Sequence, residues 1–362
     1  MGLNMEMRIT FSFFLFLLLS IFNPEPAMSQ NVRPIRDNVG FCWTPAEMNM
    51  LMKYLSAHST KADDFPAKNL VAAISPHDDY LYAGSVYYPL FKLIKTKEVV
   101  IFGVTHGTVR QALNDPKNVL IFDEYKYWHG PFGNVGISPL RDIIKSKLNK
   151  NDFMVSDKAQ DIEHSIEALV PFLQYYNRDI KITPLMVTQM PIERMEKVSN
   201  ELAEIISDYI KQNKLMPGKD IFFLISTDAD HYGRDFDNIP YGEDIKAHQL
   251  ATDNDKRIAK DTFNGILTGD KIQNLTGELW GTPKDNPPSP VWCGKFSVPF
   301  GLLATDKIIE NVTGKRLDGK MFAYSDSWTE GVIPIKHTNL GTTAPFSLKH
   351  WCGWLSAGFY LK

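Results

Sequence analysis

Short apolar runs alternate with amphipathic segments through most of the chain, and this alternation predicts βαβ units. Runs rich in Val, Ile, Leu and Phe are typical of strands that are buried on both faces, while the segments between them repeat apolar residues at helical spacing. The predicted fold is therefore α/β, a single domain with a mostly parallel central sheet flanked by helices. Strands are predicted at about 70–75, 98–104, 118–122, 181–187 and 220–227, and helices at about 86–96, 138–149, 162–176 and 191–213.

The last third of the chain continues this pattern less regularly. No internal repeat or low-complexity linker divides it from the rest, and the Pro-rich stretch from Thr282 to Pro290 is typical of a surface loop. Helices are predicted at about 243–267 and 295–311, and terminal strands at about 320–325 and 354–361.

The N-terminus has a different hydrophobic pattern. Ile9 to Phe22 form a nearly unbroken apolar run of 14 residues, which is shorter than the roughly 20 that a membrane span needs. Ala27 and Ser29 then suit signal-peptidase cleavage before Gln30. We therefore expect an exported protein, periplasmic or extracellular, that does not span a membrane after cleavage. The predicted division is a signal peptide at 1–29, an N-terminal extension at 30–64 and the α/β domain at 65–362.

Composition and charge narrow the class of protein. The chain has 362 residues, of which 44% are hydrophobic and 22% charged, as in ordinary globular proteins. A net charge of −3 without a long basic run argues against nucleic-acid binding. Three cysteines are too few for a disulfide scaffold, although a bridge between Cys42 and Cys352 stays possible. The oligomeric state is left open.

Three of the predicted strands end in polar sequences that contain histidine. His77 follows the strand at 70–75, His106 follows the strand at 98–104, and His231 follows the strand at 220–227. Ligands of open α/β sheets bind outside the carboxyl ends of the strands, so these side chains are expected to converge in one pocket.

A metal site is the sharpest interpretation of this pattern. His77 and His106 would supply two imidazoles, which are common ligands of transition metals, and Cys293 would add a thiolate stabilised by the start of the following helix. The alternatives are structural. His77 could cap a turn, the glycines beside His106 could simply let the chain bend, and a lone buried cysteine is usually inert packing.

Acid and base candidates lie close to these residues in the sequence. Asp228 could orient a histidine or a bound water, His231 could act as a general base, and His164 could face the pocket from a helix start. The structural alternatives are helix capping by Asp228 and dipole compensation by the acids that flank His164. The remaining histidines at 58, 248, 337 and 350 lie in sequences typical of the surface.

Several catalytic motifs do not occur in the sequence. GxxxxGK[ST], GxGxxG after the first strand, HExxH and GxSxG are all missing, which argues against P-loop, dinucleotide-binding, zincin and α/β-hydrolase chemistry.

Taken in order, these motifs resemble the Memo family, also called the AmmeMemoRadiSam system protein B family, which is similar in fold to the class III extradiol dioxygenases. The resemblance covers about residues 65 to 361. It rests on Pro76-His77 to Tyr80-x-Tyr82-x-Gly84, Gly103-x-x-His106, Glu163-His164-Ser165-x-Glu167 with Pro171-Phe172-Leu173-Gln174, Ser226-Thr227-Asp228 with His231-Tyr232-Gly233, Cys293-Gly294, and an ending from Tyr324-Ser325 to Gly353.

The resemblance implies a pocket in which His77, His106 and Cys293 bind one iron or copper ion, with the Asp and His of the family's strand-end turn at Asp228 and His231. Two features depart from the family. Asp78-Asp79 stands where Ala-Gly is usual and would add negative charge beside the metal, and an export signal is unlike the mostly cytoplasmic members. Ring cleavage is not implied, because extradiol enzymes use a carboxylate where this chain has a cysteine.

Two functions from different classes follow as hypotheses. The first is a non-haem iron or copper redox protein, a possible oxidoreductase, with His231, Asp228 and His164 assisting. The alternative is a binding module without turnover, in which the same pocket holds an anionic or aromatic, phosphotyrosine-like small molecule or peptide with the help of Tyr80 and Tyr82. Metal storage at the cell envelope is a third possibility.

Overall fold

Neighbouring parallel strands form the centre of one mixed sheet in the computed structural model, which describes residues 31–58 and 65–362. Numbered along the chain, the strands are β1 Val32–Arg33, β2 Leu70–Ser75, β3 Glu98–Val104, β4 Leu120–Phe122, β5 Tyr127–Trp128, β6 Val135–Ile137, β7 Phe153–Val155, β8 Lys181–Val187, β9 Ile221–Ser226, β10 His231–Gly233, β11 Gly265–Ile266, β12 Leu317–Asp326 and β13 His350–Leu361.

The strand order decides which chain segments meet. The order is β1-β5-β6-β8-β3-β9-β2-β13-β12-β11, with β4 beside β7 and β8, and β10 beside β13. Strands β6, β8, β3, β9 and β2 run parallel, whereas β13 and β12 continue the sheet antiparallel. Ser75 pairs with Ser226 at the ends of β2 and β9, so the three strands predicted to carry the site are adjacent.

Helices cover both faces of the sheet. Along β9, Phe223 and Ile225 point into one apolar cluster while Phe222 and Leu224 point into the other, so this strand is buried on both sides. The helices are α1 Pro45–His58, α2 Tyr80–Phe91, α3 Gly107–Ala112, α4 Leu140–Lys147, α5 Asp157–Ile162, α6 Val170–Tyr176, α7 Ile192–Gln212, α8 Ile245–Phe263, α9 Gly269–Leu279, α10 Ser297–Thr313 and α11 Ser327–Glu330, with short 3₁₀ turns at Glu167–Leu169 and Arg234–Phe236.

The predicted α/β class with a mostly parallel central sheet is confirmed, and two predicted helices need correction. Helix α2 begins at Tyr80 rather than near residue 86, because nearly all of its residues are buried and it lacks the polar face on which the prediction relied. The helix predicted at 162–176 is divided into α5 and α6. The irregular segment between α5 and α6 contains His164, which therefore does not lie at a helix start.

The N-terminal extension contributes to the same compact unit as the rest of the described chain. Strand β1 pairs with β5, and helix α1 packs against α2. The predicted signal peptide at 1–29 lies outside the described residues. Within the part of the chain that the structure describes, no helix is long and apolar enough to cross a membrane.

Candidate metal centre and ligand cavity

His77 is fully buried just beyond β2, and its hydrogen bonds determine which ring nitrogen is free. Ser226 donates its hydroxyl proton to the carbonyl of Ser165 at 2.6 Å, and its oxygen lies 2.7 Å from Nδ1 of His77. Because the hydroxyl has only one proton, Nδ1 of His77 must be the donor in this pair. Burial, followed by the charges of His106 and His164, holds the pKa of His77 well below its usual range. The neutral ring therefore keeps its lone pair on Nε2.

His106 is oriented in the same way by a carboxylate. Its Nδ1 lies 2.7 Å from Oε1 of Glu163, whose carboxylate also accepts the backbone N–H groups of His106, His164 and Ser165. Burial raises the pKa of Glu163, but the charge and hydrogen bond of His106 outweigh it and hold that pKa well below its usual range. Glu163 is therefore ionised and accepts from Nδ1, which leaves Nε2 of His106 as the free ligand atom.

Cys293 completes the group from a loop that precedes α10. Its Sγ lies 3.4 Å from Nε2 of His77 and accepts the backbone N–H of Asp228 at 3.0 Å. Burial and then the charge of Asp228 raise the pKa of the Cys293 thiol well above its usual range. The expected stabilisation of a thiolate by the helix start is therefore wrong for the protein alone, because α10 begins four residues later at Ser297 and burial dominates.

The structure brings the three predicted ligands together. One ligand atom from each of His77, His106 and Cys293 lies within 4.8 Å of the others, and a second group with this property consists of His106, Glu163 and His164. Two imidazoles with one sulfur form a donor set that suits iron, copper or zinc, so the residues fit the predicted ion. Binding requires the thiol to lose its proton, which couples metal affinity to pH.

The predicted acid and base residues surround this group. Asp228 accepts the backbone N–H of His77 at 2.9 Å through Oδ1, and its Oδ2 lies 3.3 Å from Nε2 of His77. The ring of His164 stacks on that of His106 with centroids 4.7 Å apart. Burial, followed by the charge of His106, lowers the pKa of His164 to about 3 and that of His231 to about 4. Both rings are thus neutral at pH 7 and able to accept a proton.

A cavity of about 340 Å³ opens beside these residues. His106, His231 and Cys293 line one part of it, and apolar side chains form much of the remaining wall. The other lining residues are Val104, Thr105, Gly107, Arg110, Val187, Gln189, Phe236, Val291, Trp292, Lys295, Phe296 and Ser297.

Tyr80 and Tyr82 do not take part in this cavity. Tyr80 is buried in α2 and donates its hydroxyl to the carbonyl of Ala168, and Tyr82 donates to the carbonyl of Ala344. Their expected role in ligand binding is therefore wrong, because α2 turns both rings into the core between the sheet and the C-terminal segment.

The two acids after His77 also have other partners. Asp78 accepts the indole N–H of Trp354 at 3.0 Å, and Asp79 accepts the backbone N–H and the hydroxyl of Thr343. Burial raises the pKa of Asp79 to about 7. These carboxyl groups tie the start of α2 to the C-terminal part of the chain, which is the observed consequence of Asp78-Asp79.

Several contributing residues were missed by sequence reasoning. Ser226 and Glu163 orient the two histidines, and a possible signal was that one ends a strand and the other adjoins His164. His248 was assigned to the surface, but it is buried and lies 3.0 Å from Asp326. This assignment is wrong because α8 turns His248 toward β12. The cysteines at 42, 293 and 352 are all unpaired in the structure.

Comparison with known proteins agrees with the fold and the site. The family model described as Memo-like protein matches residues 42–270. A MEMO1 family protein of Saccharolobus islandicus is 28% identical over 218 residues, covering 56% of this chain and 70% of its own. One from Caldivirga maquilingensis is 25% identical over 296 residues, covering 80% and 83%. One from Aquifex aeolicus is 31% identical over 189 residues, covering 51% and 62%.

Proposed function

The chain belongs to the Memo-like protein family, and we propose that it is an exported metal-binding protein in which His77, His106 and Cys293 hold one iron or copper ion for redox chemistry. The observation that carries the proposal is the convergence of three ligand atoms within 4.8 Å from three separate segments of the chain. Partners behind the two rings add support, because hydrogen bonds that fix the tautomer of a histidine raise its value as a metal ligand.

The surrounding residues have distinct parts in this proposal. When bound, iron or copper would supply the capacity to accept and donate electrons. Asp228 holds the backbone of His77 in place, and His231 borders the cavity as a neutral base that can take a proton from a ligand there. His164 keeps the ring of His106 in position by stacking on it. An oxidoreductase would need these parts, but the proposal of a metal site does not depend on turnover.

Metal content tests the proposal directly. Residues 31–362 form one compact unit, so the chain from Gln30 onward is a suitable sample. Elemental analysis after purification and reconstitution is expected to show near-stoichiometric iron or copper in the wild type, and its loss in Cys293→Ser and His77→Ala. Cys42→Ala is the matched control, since that thiol is buried away from the ligand group. A wild type without metal after reconstitution, or a His77→Ala variant with full metal, would refute the proposal.

Export is part of the same proposal and has its own test. It is supported by the apolar run from Ile9 to Phe22 and the small residues that precede Gln30. In cells that express the whole chain, the protein is expected outside the cytoplasm with an N-terminus at Gln30, as read by cell fractionation and N-terminal sequencing. A full-length protein that stays in the cytoplasm would contradict export without affecting the metal site.

Ligand binding without turnover is the second candidate. The cavity favours it, because a space of about 340 Å³ with apolar walls can hold a small molecule or the side chain of a peptide. A ligand that raises the melting temperature equally before and after chelation of metal would support this candidate. A rise that disappears on chelation would support the redox protein instead.

A further inference from the structure

Two cations that line the cavity have no acidic partner. Arg110 lies on α3, four residues beyond His106, and Lys295 follows Cys293 by two residues. Among the described residues, neither side chain makes an ion pair or a hydrogen bond, and the ammonium of Lys295 lies 5.7 Å from the ring centroid of Phe296. Most other arginines of the described chain do have such partners, for example Arg33 with Glu167.

The cavity also lacks negative charge to balance these two cations. Of the described residues that line it, none is Asp or Glu. Partial burial, followed by the positive charge of Arg110, lowers the pKa of Lys295, so the two groups act on each other. Placing like charges together is unfavourable until an anion is added. This is unexpected in a chain whose net charge is −3.

From this arrangement we infer that Arg110 and Lys295 bind the acidic group of a small organic anion whose apolar body lies in the cavity against Phe236 and Phe296. Guanidinium is well shaped for the two oxygens of a carboxylate or phosphoryl group, and ammonium adds a second charge. The apolar walls select against a bare inorganic anion, because its contacts would leave them in water. The inference rests on the proposed ligand cavity, whose bound metal it does not require.

Calorimetric titration of the chain from Gln30 tests this inference. The probes are benzoate and phenylphosphonate, with neutral benzamide as the matched control, each added to chelator-treated and to metal-loaded protein. Both anions, or one of them, are expected to bind in both states while benzamide does not. The preferred anion identifies the carboxylate or the phosphoryl group as the natural acidic group. Equal binding of benzamide, or no binding of either anion, would overturn the inference.

Variants locate the binding site. Arg110→Gln and Lys295→Gln are each expected to raise the dissociation constant of the preferred anion by about tenfold or more. Lys147→Gln, which removes an exposed cation of α4, is expected to leave it unchanged. An equal effect of Lys147→Gln would show that the anion senses only the overall charge. Metal content measured on the same samples separates this inference from the proposed function, since either result can fail alone.

Discussion

Glu163 lies behind His106 with one carboxylate oxygen 2.7 Å from Nδ1 of the ring, and it fixes the direction in which the other nitrogen points. The same carboxylate accepts the backbone N–H groups of His106, His164 and Ser165. A single buried acid thus joins the end of β3 to the segment between α5 and α6. The ligand group depends on this residue although the acid is not one of the three proposed ligands.

Replacing Glu163 should therefore weaken metal binding without removing a ligand from the site. Glu163→Gln keeps an oxygen for the backbone donors but loses the charge that holds the tautomer of His106. The dissociation constant for the metal is expected to rise by about 10–100-fold, as measured by competition with a chromophoric chelator. Glu193→Gln, an exposed position at the start of α7, serves as the control.

Ser226→Ala examines the second ring in the same assay. It removes the partner of Nδ1 of His77, so a weaker metal complex is expected again. If Glu163→Gln and Ser226→Ala both kept the wild-type affinity at unchanged melting temperatures, the proposed orientation of the rings would have no role in metal binding.

The convergence of the site could be predicted because it depends on simple properties of the chain. Strands β2, β3 and β9 are continuous apolar runs, and their carboxyl ends necessarily lie at one edge of a parallel sheet. His77 and His106 follow two of those ends directly. The predicted strand bounds agree closely with the structure for the same reason.

The remaining details depend on contacts between residues distant in sequence. The orientation of His77 depends on Ser226, 149 positions away, and the loop of Cys293 packs on the end of β9. Helix α2 could not be bounded by periodicity because nearly all of its residues are buried. The unpaired state of Arg110 and Lys295 is a property of the folded surface, which no local pattern reveals.

Gly294 allows the Cys293 loop to approach the end of β9. A Cβ at this position would lie 2.2 Å from Oγ1 and 2.3 Å from Cβ of Thr227. Gly294→Ala is therefore expected to push the loop away, remove Cys293 from the ligand group and lower the free energy of unfolding by about 1–3 kcal/mol. Metal content and urea denaturation measure the two effects.

Gly277→Ala is the matched control for this substitution. Gly277 lies in α9, where an added Cβ meets nothing within 4 Å. Alanine favours a helix interior, so this variant should keep its metal and gain up to about 1 kcal/mol in stability. Normal metal content in Gly294→Ala would argue against the tight packing of the Cys293 loop.

Arg33 connects the N-terminal extension to the segment that carries Glu163. Its guanidinium pairs with Glu167 at 2.5 Å and donates to the carbonyls of Gln160 and Glu163, each at 2.6 Å. Both charges of the pair are buried. Arg33→Ala leaves Glu167 without its counterion and is expected to cost about 3–5 kcal/mol in urea denaturation.

An exposed ion pair supplies the comparison for Arg33. Arg234 pairs with Glu243 at 2.6 Å, but the arginine side chain is 73% exposed, so Arg234→Ala should have little effect on stability. Equal losses in the two variants would show that burial of the Arg33 pair does not determine its contribution.

Asp255 should make stability depend on pH. Its carboxylate accepts the indole N–H of Trp292, the hydroxyl of Tyr324 and the backbone N–H of Asp230. Burial is the main cause that raises the pKa of Asp255 to about 6, compared with about 3.9 in an unfolded chain. The folded protein therefore holds this proton over a range in which the unfolded chain has lost it. The resulting stabilisation is complete below about pH 4 and is lost as the pH rises through about 6.

Asp255→Asn removes this titration but keeps an oxygen for Trp292. Between pH 5 and pH 7.5, the difference in the free energy of unfolding between variant and wild type should shift in favour of the variant by about 1.3 kcal/mol. Urea denaturation at both pH values measures this shift, and the other acids of the protein cancel in the comparison. A difference that stays constant with pH would mean that Asp255 has an ordinary pKa despite its burial, and its three donors would then outweigh desolvation.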